Sequence, residues 1–205
     1  METTVSKNRM IALTAALCAL EVVLGMPPLH LGMIAINPTV SITIMQMPVL
    51  LAIILLPDFA SLWSGMIVAF VFGVFSLVLA AISPAGALDP LFVNPLISIL
   101  PRVSYAIVAW LFWKLFSTVL RFPKLVASPV FAFLSTLSHG CLVFAALYIF
   151  AASKTLEALG GKAYLVLVAS QLPPMTINAI AAAILCTAVL GATTVVAGRK
   201  AKLTR

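Results

Sequence analysis

Charge is what this 205-residue chain has least of: charged residues make up only 8%, against 63% hydrophobic residues. A soluble domain carries roughly 25% charged and about 45–50% apolar residues. Too few polar side chains are present to cover a water-facing surface. That excludes an ordinary soluble enzyme, a nucleic-acid-binding domain and a disordered chain. Cysteine is sparse too. Cys18, Cys141 and Cys186 stand apart in apolar runs with no C-x-x-C spacing. They read as small buried hydrophobes rather than a disulfide framework or metal cluster. No G-x-x-x-x-G-K-[ST], H-E-x-x-H or G-x-S-x-G occurs, so the chain lacks the equipment for ATP hydrolysis and for zinc or serine hydrolase chemistry. Paired carboxylates for intramembrane proteolysis and the spaced arginines of a voltage sensor are missing as well. Glu21 is the one acidic residue inside an apolar run, which is thin for a proton or sodium relay. No enzyme activity, cofactor or metal is expected.

What is present is apolar sequence, with a mean hydropathy of +1.23. Spanning about 30 Å of hydrocarbon takes roughly 20 apolar residues in a helix. Six segments qualify as an all-α polytopic membrane domain: 10–25, 40–56, 59–82, 96–116, 125–150 and 173–197. None alternates with period 2, so a β-barrel is disfavoured. Lys7 and Arg9 before the first run resemble a signal peptide, but Glu21 interrupts the run and five more follow.

Twelve Lys+Arg against five Asp+Glu give a net charge of +7. With both termini cytoplasmic, nine of the basic residues fall inside: Lys7, Arg9, Lys114, Arg121, Lys124, Arg199, Lys200, Lys202 and Arg205. Lys154 and Lys162 fall outside, and Arg102 lies within a span. This bias orients the protein by the positive-inside rule. The inner connections, 57–58 and 117–124, are then short, and the outer ones, 26–39, 83–95 and 151–172, are long. Irregular backbone collects where it lines a cavity or meets water. Asn37-Pro38, Asn94-Pro95 and Pro173-Pro174 stand at outer helix starts, with Asn and Pro suited to the cap and first turn. Three helix N-termini would thus face outward, either as tidy starts or as attractors of an anion.

Ionisable groups within spans are functional hypotheses by default. Glu21 and Arg102 both fall in the outer halves of their helices. They either pair with each other, or Arg102 faces a cavity and grips a carboxylate as a bidentate fork. His139, in the fifth segment, is either a packing residue or a ligand contact. Gln46, Asn94, Gln171 and Asn178 either join helices or orient a polar ligand. Asn94, Arg102, Gln171 and Asn178 share one depth, interleaved with Phe92, Tyr105 and Tyr164, while Trp110 and Trp113 sit deeper as interface markers. Ala12, Ala15, Ala16 and Ala19 form one small-residue stripe on the first helix, for close approach to a neighbour or a partner subunit.

Several of these residues carry a family resemblance. Ala12-Leu13-Thr14-Ala15-Ala16 is an A-x-x-x-A pattern in a first helix. Met45-Gln46-Met47-Pro48-Val49-Leu50, Gly65, Gly73, and the run Asn94-Pro95-Leu96 to Leu100-Pro101-Arg102 accompany it. With its size and topology, the chain resembles a substrate-binding S component of an energy-coupling factor (ECF) vitamin transporter, of the pantothenate-type or a close branch. It departs at Leu56-Pro57-Asp58-Phe59-Ala60-Ser61, where relatives carry a Gly-rich turn. The resemblance implies a multi-pass protein of a bacterial plasma membrane that binds a small water-soluble vitamin at its outer face. It also implies docking, through Ala12 and Ala16, on a coupling transmembrane subunit that works with two cytoplasmic ATPases. Pantothenate is the first expectation, recognised by Asn94, Arg102, Tyr105, His139, Gln171, Asn178 and Gln46. A neutral vitamin such as pyridoxine, with Arg102 paired to Glu21, is the alternative. A stand-alone ion-coupled carrier is the alternative from another class.

Overall fold

In hydrocarbon a chain must satisfy its backbone polar groups internally, and continuous apolar runs do so as helices. A computed structural model describes residues 7–26, 32–37, 40–84, 88–158 and 164–203. In chain order the elements are α1 (Lys7–Gly25), β1 (Met33–Asn37), β2 (Val40–Thr43), α2 (Met47–Leu55), α3 (Asp58–Ile82), α4 (Pro95–Ser98), α5 (Leu100–Lys114), α6 (Lys124–Ala158) and α7 (Tyr164–Leu203). A 3₁₀ turn, Asp89–Val93, precedes α4, and a π turn, Leu115–Val119, ends α5. Among the described residues five helical stretches are long and apolar enough to cross a membrane: Lys7–Gly25, Phe59–Ile82, Pro95–Val119, Lys124–Ala158 and Val168–Val196. The protein is an all-α polytopic bundle with one small hairpin.

The second expected span is the clearest departure. Residues 40–43 are not helical but pair antiparallel with β1, Met33 opposite Thr43 and Ile34 opposite Ile42. Val-Ser-Ile-Thr carries three β-branched residues in four positions, a strand signal too short to stand out beside an apolar run. The helix begins only at Met47, with Gln46 at the cap and Pro48 in the first turn. At nine residues it is roughly 14 Å long, too short to span the bilayer alone. It is instead packed into the core, with Val49, Leu50, Ala52 and Ile53 fully enclosed.

The proline-led helix starts fare unequally. Asn94 does cap α4, its Oδ1 accepting from the Leu96 N–H at 3.0 Å. Asn37 ends β1, and Pro38 lies outside the described residues. Pro173 and Pro174 do not open a helix: α7 starts at Tyr164 and runs through both. Proline in a helix interior removes a hydrogen bond, but in a membrane bundle neighbouring groups re-satisfy the freed carbonyls. α6 likewise passes the expected end at 150 and continues to Ala158 across a break at Ala151 (φ −150°, ψ 33°).

Gly73 sets how closely α3 meets the α4–α5 junction. A Cβ there would lie 2.8 Å from Ile99 Cα and 3.2 Å from the Ser98 carbonyl. Ser98 Oγ donates to the Gly73 carbonyl at 2.9 Å. Both contacts fix the first turn of α5, from which Arg102 projects. Trp113 is a core residue rather than a belt marker, edge-on to Phe131 with centroids 5.2 Å apart. On α1, Thr14, Leu17, Glu21 and Gly25 are buried, while Ala12, Ala15, Ala16 and Ala19 are exposed.

Candidate ligand-binding cavity

Three helices present stripes at helical spacing to one cavity. Phe72, Ser76, Leu79, Ala80 and Ser83 do so from α3 and the residue after it; Thr136, His139, Gly140 and Val143 from α6; Gln171, Met175 and Asn178 from α7. Arg102 closes the wall from α5, Asp89 and Phe92 from the 3₁₀ turn, and Thr43, Met45 and Gln46 from the hairpin and the turn after it. The cavity measures about 250 Å³. It lies toward the start of α5, whereas Lys114 ends that helix twelve residues on, roughly 18 Å away.

Arg102 is 7% exposed. One Nη donates to the Ser98 carbonyl at 2.6 Å and the Ile97 carbonyl at 3.2 Å. Its guanidinium carbon lies 5.0 Å from the Phe72 ring centroid and 5.1 Å from that of Phe92. The two rings hold the cation by their quadrupoles and keep its plane from swinging. Its Nε has no hydrogen-bond partner among the described residues. The ion pair with Glu21, one of the two readings of these charges, is not formed among the described residues: both Glu21 oxygens are buried without a hydrogen-bond partner there. Glu21 is on α1 and does not border the cavity.

The same lack of partners marks other lining groups. Both amide atoms of Gln46, the Thr136 hydroxyl and the His139 Nε2 are buried and unsatisfied among the described residues. Leaving such a group unpaired costs ≈ 1–3 kcal/mol. Four such atoms, from three residues around one cavity, therefore point to a polar occupant.

Of the residues expected from sequence, the structure brings Gln46, Arg102, His139, Gln171 and Asn178 to the cavity. Two are not there. Asn94 is exposed and spends its side-chain oxygen on the α4 cap. Tyr105 is fully buried and does not line the cavity; its ring packs against that of His139 with centroids 4.9 Å apart. Asn178 lines the space but is committed: its Oδ1 accepts from the Thr43 N–H at 3.0 Å. The side chain of Tyr164 lies outside the described residues. Thr43, Phe72, Ser76, Ser83, Asp89 and Thr136 escaped the sequence reading. Thr136, three residues before His139, shares its helix face, and that spacing was the available signal.

The chain matches the family described as ECF transporter, substrate-specific component, over residues 9–190. A comparison with curated proteins gives no match. The match covers most of the chain, and the bundle with its cavity agrees with it: the protein belongs to the family of substrate-specific components of ECF transporters, multi-pass membrane subunits that bind a small molecule and work with the ECF transmembrane and ATPase subunits.

Proposed function

We propose that the cavity captures a carboxylate-bearing, water-soluble vitamin, with pantothenate as the first candidate, from the outer face of a bacterial plasma membrane. The observation that carries this reading is Arg102, a guanidinium beside the cavity held by backbone carbonyls and two rings, with its Nε unpartnered among the described residues. A carboxylate placed there gains charge-assisted hydrogen bonds. Gln46, Thr136 and His139 supply donors and acceptors for the amide and hydroxyl groups such a vitamin carries. Phe72, Phe92 and Phe144 give the apolar surface typical of small-molecule sites.

The outward orientation, with both termini cytoplasmic, follows from the excess of Lys and Arg on the opposite side. The exposed Ala12 and Ala16 face is the docking surface for the coupling transmembrane subunit. Mass spectrometry of ligand that copurifies with the protein tests the reading. A vitamin acid is expected. A neutral vitamin such as pyridoxine would overturn the carboxylate assignment while leaving the cavity as the site.

A further inference from the structure

Gly140 on α6 and Met175 on α7 meet in the wall of the cavity, and both line it. A Cβ at Gly140 would overlap Met175 Cε and lie 2.9 Å from its Sδ and 3.3 Å from its Cγ. The three nearest atoms thus all belong to one side chain. Met175 lies in the gap that residue 140 leaves open by having no side chain, a gap its unbranched thioether is flexible enough to fill. It stands between Gln171 and Asn178 on the α7 stripe that lines the cavity. The rings and carbonyls that hold Arg102 belong to Phe72, Phe92, Ile97 and Ser98, all before α6. The contact of Gly140 with Met175 therefore belongs to a different stretch of wall from the guanidinium.

Resting on the reading of this cavity as the ligand site, we propose that Met175 is a specificity-determining residue that limits how long a ligand the cavity takes. Gly140 is its positioning residue, and seats the thioether against α6. The cavity measures about 250 Å³, below the roughly 300–1,000 Å³ usual for small-molecule sites. A vitamin fills a space of that size, and the placing of one flexible side chain decides whether a further methylene fits. Where hydrophobic wall meets ligand, one methylene changes affinity by about tenfold or more. A side chain at 140 displaces the tip of Met175, and the open space beside both residues is the cavity itself. Removing the thioether has the opposite effect and lengthens the space.

The test is calorimetry on the purified full-length protein with pairs that differ by one methylene: pantothenate with homopantothenate, biotin with homobiotin, pyridoxine with its methyl ether. The measured quantity is the affinity ratio, shorter over longer, within a pair that binds. The wild type favours the shorter member by about tenfold or more. Met175→Ala lowers that ratio by about fivefold or more, whereas Met175→Leu, close in volume, keeps most of it. Gly140→Ala raises the ratio by about threefold or more, and in the Met175→Ala background the same change moves it by less than about twofold, because no thioether is left to displace. A general loss of stability weakens both members of a pair and leaves the ratio where it was. The two Met175 variants suffice should Gly140→Ala fold poorly. A ratio within about twofold of the wild type in Met175→Ala overturns the role of Met175. An equal shift from Gly140→Ala in both backgrounds overturns that of Gly140. If the pyridoxine pair alone binds, the carboxylate reading falls and the length limit is measured on that pair. If no member of the panel binds, the vitamin-site reading falls and this proposal with it, a result distinct from a bound pair whose ratio does not move.

Discussion

The backbone N–H of Thr43 donates to the side-chain oxygen of Asn178 at 3.0 Å, tying the end of β2 to α7 across 135 positions of sequence. This side-chain hydrogen bond holds the hairpin at one side of the cavity that Asn178 lines. Asn178→Ala removes the tie while leaving the helix packed. The expected outcome is ligand dissociation faster by about threefold to tenfold, with association changed less. Stopped-flow or surface-plasmon kinetics measures it; equal dissociation rates would assign the hairpin's position to other contacts.

Gln46 is 1% exposed with both amide atoms unsatisfied among the described residues. A group left in that state lowers the stability of the empty protein, and ligand contact relieves it. Gln46→Leu is therefore expected to hold or raise the melting temperature without ligand. The same variant weakens ligand binding by roughly tenfold, the scale of one well-formed hydrogen bond in a dry site. Paired thermal-shift and calorimetric measurements separate the two effects.

Tyr105 is buried and does not line the cavity, and its hydroxyl is unpartnered among the described residues. Tyr105→Phe keeps the ring against His139 and removes the orphaned oxygen. It is expected to leave ligand affinity within about twofold and stability unchanged or slightly higher. A large loss of affinity would place the phenol in the site after all.

Gly73 tests the packing beneath Arg102. In Gly73→Val the added carbons meet backbone, Ile99 Cα and the Ser98 carbonyl, neither of which can swing aside. Overpacking of this kind costs about 1–3 kcal/mol. The expected result is a lowered melting temperature together with weaker ligand binding, because Arg102 rises from the displaced turn. Circular dichroism melts and calorimetry on the same preparation report both.

The exposed alanines of α1 make the opposite prediction. Ala12→Leu with Ala16→Leu adds bulk where no helix of the bundle packs, so the melting temperature and ligand affinity are expected to hold. Retention on the immobilised coupling subunit should drop, since close approach of helices depends on small residues. Undiminished retention would place the docking surface elsewhere.

Much of this was legible in composition and spacing. The lack of charge and the long apolar runs announced the membrane bundle, and Arg102, set apart in the sequence from the basic residues near the span ends and loops, lines the cavity. Glu21 and Arg102 stood out together, but a chain pattern gives depth and not direction. Pairing across the interior and facing a ligand look identical until the helices are placed. The hairpin was hidden because 40–43 is short and continuous with apolar sequence, so hydropathy absorbed it into a span. Pro173-Pro174 misled for a related reason. Proline signals a helix start in water, whereas tertiary contacts in a bundle let α7 carry both. Asn94 and Tyr105 do not line the cavity, because shared depth does not imply a shared face.

Titration of the purified protein with pantothenate, before and after Arg102→Gln, measures the central claim most directly. One saturable site in the wild type, weakened by about tenfold or more in the variant while the fold survives, is the result expected for a carboxylate held by this guanidinium. Equal affinity in the two proteins would contradict it.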